Sequence, residues 1–302
     1  MATRSPSAYE DEGKNLLETA KKQLKGKTSF FSSLLGTGSN KYEEAAETFA
    51  NAGGKLSIAR SWNLAGQAYE QAAEAYTHVS DSKYNVATKY EEAGKMYKNI
   101  DVEKAARVWE KAVGAFMEMN PPNSSRCAKI CKDLSGIYEK MGEQDKEIEA
   151  CIRAADFYQL AGLSTHETSM RRRVAEVYGR MGKFQEAAEI FTEIGKTNAE
   201  NRTLKYSVKE DLLKGGICWL CLGDDVKASR AMIEFAEIDP SFADSREGKL
   251  LESIIKAAEN SDVDAFTAAA QSYDSISTLD PWKTSMLLKI KNGMNEEEED
   301  LA

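Results

Sequence analysis

Along most of the chain, apolar residues return every three or four positions, the spacing that gives a helix one buried face. Two stretches show how these helices are organised. "IYEKMGEQDKEIEACIRAADFY" (137–158) and "VYGRMGKFQEAAEIF" (177–191) each carry an aromatic followed four residues later by glycine: Tyr138 and Gly142, Tyr178 and Gly182. The pattern continues in both directions, as Trp219 with Gly223 and as Tyr97 with Asp101, so that the four aromatics stand 41, 40 and 41 residues apart. In each unit one amphipathic segment ends at the glycine or a short polar turn. A second begins with acidic or polar residues and alanines at helical spacing, which predicts a helix pair repeated about every 40 residues.

Prolines respect these boundaries. None stands between 7 and 120 or between 123 and 239, and Pro121, Pro122, Pro240 and Pro281 fall where helices should start or stop; in "LDPWKT", Asp280 is placed to cap a helix beginning at Pro281. Alternating runs of Val, Ile and Thr are essentially absent, so the expected fold class is all-α. The unit around 175–191, with Ala175, Tyr178, Gly182, Phe184, Ala187 and Phe191, nearly matches a tetratricopeptide pattern, although the period exceeds the usual one of about 34 residues. The expected architecture is a right-handed tetratricopeptide-like helical-hairpin solenoid with a C-terminal helical bundle. Its expected divisions are an N-terminal helix and apolar loop over 1–40, repeats over 41–240, a bundle over 241–292 and an acidic tail over 293–302.

Composition narrows the function. With 302 residues, 42% hydrophobic and 29% charged, the chain is long and apolar enough to bury a core. It shows neither a bilayer-spanning run nor a secretory leader, so a cytoplasmic protein is expected. A net charge of −9 argues against a nucleic-acid binder. Five cysteines (Cys127, Cys131, Cys151, Cys218 and Cys221) are scattered through helical segments, and Cys218 and Cys221 form a lone C-x-x-C with no second pair or nearby histidine. Buried thiols are expected rather than zinc or redox chemistry. No phosphate-binding glycine loop, nucleophile elbow or catalytic carboxylate pair is present, so neither an enzyme nor a cofactor or metal is expected.

One stretch resists the helical reading. "TSFFSSLLG" (28–36) sets Phe30, Phe31, Leu34 and Leu35 among small residues, after a run containing Lys21, Lys22, Lys25 and Lys27. The residues alone leave two readings open: a hydrophobic lid on the first hairpin, or a loop that touches a membrane with the lysines adding attraction to anionic lipid.

Several motifs together carry a resemblance. "SFFSSLLG", "LKYSVKE" (204–210), "FADSREGKLL" (242–251), "DAFTAAAQSYDSISTLDPWKTSMLLKIK" (264–291) and the terminal "EEEEDLA" resemble, in order and spacing, the soluble NSF attachment proteins. The resemblance implies an adaptor that lays one face on an assembled SNARE four-helix bundle, several copies per bundle, and recruits the hexameric ATPase NSF to take the bundle apart. It implies SNARE contacts at Arg60, Lys129, Arg173, Tyr206, Lys209 and Arg246, membrane contact by Phe30, Phe31, Leu34 and Leu35 of a peripherally associated protein, and NSF contacts at Asp224, Glu259 and Leu301. The chain departs from the family pattern at Ser169, where a lysine is usual and Arg171 and Arg172 stand ready to compensate, and at Lys256 and Asn260, where acids are expected. The rival reading from the repeats alone is a generic tetratricopeptide-like scaffold that binds peptide partners.

Overall fold

The computed structural model describes residues 5–25, 38–201 and 203–301, without the side chains of 38–40 and 296–301. Phe30, Phe31, Leu34 and Leu35 lie outside the described residues. Among those described there are fourteen α-helices and no strand. In order they are α1 Pro6–Lys25, α2 Gly38–Ile58, α3 Trp62–Tyr76, α4 Lys83–Tyr97, α5 Val102–Met117, α6 Ser124–Met141, α7 Gln144–Leu160, α8 Ser164–Arg180, α9 Phe184–Ala199, α10 Val208–Cys221, α11 Asp225–Ile238, α12 Arg246–Glu259, α13 Val263–Asp274 and α14 Pro281–Leu301. A 3-10 turn at Lys205–Ser207 precedes α10.

The aromatic-to-glycine spacing is a helix-termination signal. Gly142, Gly182 and Gly223 have φ of 73°, 78° and 68°, the left-handed conformation that only glycine enters without steric cost. The residue after the glycine turns back to the aromatic's carbonyl: Glu143 N–H donates to Tyr138 O at 3.0 Å, and Lys183 N–H to Tyr178 O at 2.9 Å. These bonds satisfy carbonyls that the last helical turn leaves without partners. At the first repeat, where Asp101 replaces the glycine, the backbone is extended at φ −152° and the carboxylate accepts from Lys104 N–H at 2.8 Å. There the residue starts α5 while its own N–H, donating to Tyr97 O at 2.7 Å, closes α4.

Two compact units result, and the division falls within α7. Unit 1 comprises residues 1–143 and 156–162, and unit 2 comprises 144–155 and 163–302. In unit 1 each helix from α1 to α6 packs on the next. Its first core joins Leu17 and Ala20 of α1, Phe49 and Leu56 of α2, and Ala65, Ala68 and Ala72 of α3. Small residues let these helices approach closely. A methyl group on Gly94 would stand 2.2 Å from the Trp109 ring, whose indole N–H donates to Glu91 O at 3.1 Å.

In unit 2, α10 is the central helix, packed by α9, α11, α12 and α14. One core runs from Ala175, Phe184 and Phe191 through Leu212, Ile217 and Phe235 to Leu251, Phe266, Trp282 and Met286. Asp280 caps α14 as the sequence implied, its Oδ1 accepting from Lys283 N–H at 2.8 Å. The start of α14 is then clasped by a buried polar network. Lys214 of α10 reaches Glu176 of α8 at 2.7 Å and Asp280 at 3.4 Å, and Lys283 reaches Glu210 at 2.6 Å. Burial pushes the Asp280 carboxyl up, but the Lys283 N–H and the charges of Lys214 and Lys283 outweigh it and hold the group below its ordinary value.

Candidate functional site

The candidate contact residues divide between the units. In unit 1, Arg60 occupies the turn between α2 and α3 with φ 58°, a left-handed conformation uncommon for a residue with a side chain. The turn is closed by Ser61 N–H on Leu56 O at 2.9 Å, and the Arg60 side chain is exposed. Lys129 is exposed on α6, six residues beyond Asn123, whose side chain caps that helix by accepting from Arg126 N–H at 3.3 Å.

In unit 2, the turn before α10 presents Tyr206, 82% exposed, with Lys205 over its ring at 5.3 Å and Lys209 one turn along. An ion pair holds this turn. Arg172 of α8 donates from Nε and Nη2 to the two oxygens of the buried Asp211 at 2.6 and 2.9 Å, and from Nη2 to Ser207 Oγ at 3.3 Å. The two-pronged geometry fixes orientation as well as charge. Arg246 is exposed at the first position of α12 and donates to Ser277 Oγ at 2.5 Å.

Several cations of α8 are held by acids of the chain itself. Arg173 is committed to the chain itself: its Nε donates to Oε1 of Glu147 at 3.0 Å, and Arg180 donates to both oxygens of the same carboxylate at 3.1 Å. Glu147 is nearly inaccessible, at 1%. Beside exposed Ser169, Arg172 is engaged by Asp211 on two nitrogens, and Arg171 is exposed and bonded to Glu167 at 3.0 Å. A buried carboxylate without a counter-charge is costly, so these arginines are drawn inward.

The acidic candidates gather at one end of unit 2. Asp224 caps α11, accepting from Lys227 N–H at 2.9 Å, and Ser229, farther along α11, donates to Glu259 of α12 at 2.8 Å. Lys256 is paired with Glu252 at 2.6 Å, while Asn260 ends α12 by donating to Lys256 O at 2.7 Å. Leu301 is the last residue of α14.

Three buried acids escaped sequence reasoning: Glu91, Glu147 and Asp211. One signal was available. Glu91 with Arg126, Arg172 with Asp211 and Glu176 with Lys214 are 35, 39 and 38 residues apart, close to the repeat period, as pairs between equivalent helices of successive repeats must be. Cys218 is wholly buried, and burial raises its thiol well above the ordinary value; Cys221 is pushed up to about 12 for the same reason. Neither is a ready thiolate. Among the described residues no cluster of His, Cys, Asp or Glu is arranged to hold a metal, and no helix is long and apolar enough to cross a membrane.

The model of the family described as "Soluble NSF attachment protein, SNAP" matches residues 11–295. The chain belongs to the soluble NSF attachment protein family. Similar members include the alpha-soluble NSF attachment proteins of Mus musculus and Homo sapiens, each 34% identical over 98% of this chain and 99% of its own length. A probable vesicular-fusion protein sec17 homolog of Schizosaccharomyces pombe is 35% identical over 95% of this chain and 98% of its own. In this chain Arg60, Lys129 and Arg246 are exposed and Tyr206 protrudes, while buried ion pairs join neighbouring repeats.

Proposed function

We propose that this protein is an adaptor that binds assembled SNARE complexes and recruits and stimulates the ATPase NSF, which disassembles them during vesicle fusion. The observation that carries the reading is the family match, which runs through both units from α1 to α14. Arg60, Lys129, Lys209 and Arg246, with Tyr206, form the contact set for the acidic SNARE surface, and Arg173 belongs to it as a cation held in place by Glu147. Such charges govern encounter and orientation more than raw affinity. Asp224, Glu259 and Leu301 face NSF. Phe30, Phe31, Leu34 and Leu35 hold the protein peripherally at the membrane, and several copies on one SNARE bundle multiply that weak attachment through effective concentration. The adaptor itself performs no turnover.

A pull-down tests this against the peptide-scaffold alternative. Immobilised adaptor should retain NSF only when a folded SNARE bundle is also present. Retention of unfolded or short terminal peptides instead, with no SNARE-dependent NSF, would replace the adaptor by a scaffold.

A further inference from the structure

In unit 1 the first three helices each turn one face to a cleft of about 340 Å³. Lys21, Leu24 and Lys25 come from α1, Tyr42 and Phe49 from α2, and Gln71, Glu74 and Ala75 from α3, with His78 just beyond its end. Leu24, Phe49 and Ala75 supply an apolar wall, and the rings of Tyr42 and His78 stack with centroids 4.5 Å apart. Two cations and one carboxylate share the lining. Gln71 adds a buried amide oxygen that has no hydrogen-bond partner among the described residues. A buried acceptor without a donor is costly, which marks a place for a group the chain does not itself provide. Because α1 ends at Lys25 and α2 begins at Gly38, the cleft adjoins both ends of the stretch 26–37, whose apolar residues are assigned above to membrane contact.

We propose that this cleft takes the headgroup of an anionic aminophospholipid, phosphatidylserine, at a membrane surface. Lys21 and Lys25 suit its phosphate and carboxylate, while Glu74 and the Gln71 amide oxygen suit its ammonium, and the stacked rings offer a flat face to the glycerol end. Phosphatidylglycerol brings no cation to Glu74. A choline headgroup has no N–H to donate to Gln71 and gives the two lysines a single anion. The inference rests on the peripheral-membrane reading above and adds to it a site that tells one lipid from another, whereas apolar side chains enter any bilayer.

The test is Glu74→Gln in the full chain, with flotation on phosphatidylcholine vesicles that contain either phosphatidylserine or phosphatidylglycerol at equal charge. The parent should bind the phosphatidylserine vesicles about threefold to fivefold more tightly, the scale of an exposed ion pair. In Glu74→Gln that preference should vanish through weaker phosphatidylserine binding alone, with the thermal midpoint unchanged because Glu74 is exposed on α3. General electrostatics forecasts the reverse, since removing a negative charge strengthens attraction to every anionic surface. Equal binding of both vesicles by the parent, or a gain on both by the variant, would overturn the proposal. Dihexanoylphosphatidylserine, titrated below its micelle concentration and followed by NMR, separates the site from the membrane reading. The resonances of Tyr42, Gln71 and His78 should shift in the parent and equally in the variant carrying Phe30→Ser and Phe31→Ser. If that variant moves them before lipid is added, residues 26–37 fill the cleft and the headgroup assignment falls. A parent that floats with no vesicle would remove the membrane reading, and absence of shifts in the titration would remove the headgroup site.

Discussion

At the scale of single residues, Lys129 and Arg173 show how differently two candidate contact cations are held. Lys129 is exposed on α6, whereas the guanidinium of Arg173 holds the buried carboxylate of Glu147. Reversing an exposed charge costs the fold little, within about 0.5 kcal/mol. Lys129→Glu should therefore leave the urea midpoint in place and weaken SNARE capture at low salt. Arg173→Glu would set a second carboxylate against Glu147, for which breaking a buried pair suggests a loss of about 3–5 kcal/mol. Its midpoint should fall before any binding effect can be read, and a variant as stable as the parent would show that Glu147 does not depend on Arg173.

At the scale of helices, close packing and capping decide what each element tolerates. Gly94→Ala drives a methyl group into Trp109, and overpacking of this kind costs about 1–3 kcal/mol. Gly114 on α5 has open space around the same position and is exposed, so Gly114→Ala should gain up to about 1 kcal/mol from helix propensity. Opposite shifts in the chemical-denaturation midpoint would check the pair. The cap of α14 adds a pH signature. Because the folded carboxyl of Asp280 lies below its ordinary value, its contribution is present above the unfolded value of about 3.9 and is lost as pH falls through the folded one. Asp280→Ala should lose about 1 kcal/mol or more at pH 7 through the cap alone. The gap to the parent should close below about pH 4 in thermal melts taken across pH, and a gap of constant size would assign the loss to packing instead.

For the molecule as a whole, a chain of net charge −9 needs more than general electrostatics to remain at an anionic membrane. The proposal assigns that task to Phe30 and Phe31, since an apolar side chain fully withdrawn from water contributes about 1.5–3 kcal/mol. Phe30→Ser with Phe31→Ser should keep the thermal midpoint and the binding of soluble SNARE bundles, lose liposome flotation and slow the disassembly of membrane-anchored SNAREs. A large fall in midpoint with flotation intact would identify a lid on the first hairpin and withdraw the membrane role.

Local chemistry made much of the fold legible in the sequence. Helix periodicity, the aromatic and glycine that end α6, α8 and α10, and the Asp280 cap ahead of Pro281 act within one or two turns of chain, so their spacing alone announces them. The family motifs likewise carried the candidate contacts by residue number. Tertiary structure decided how each of those charges is held, because a cation's partner is chosen by the burial of an acid on another helix. Arg172 and Arg173 are adjacent in sequence and equally basic, yet one closes on Asp211, 39 residues onward, and the other on Glu147, 26 residues back.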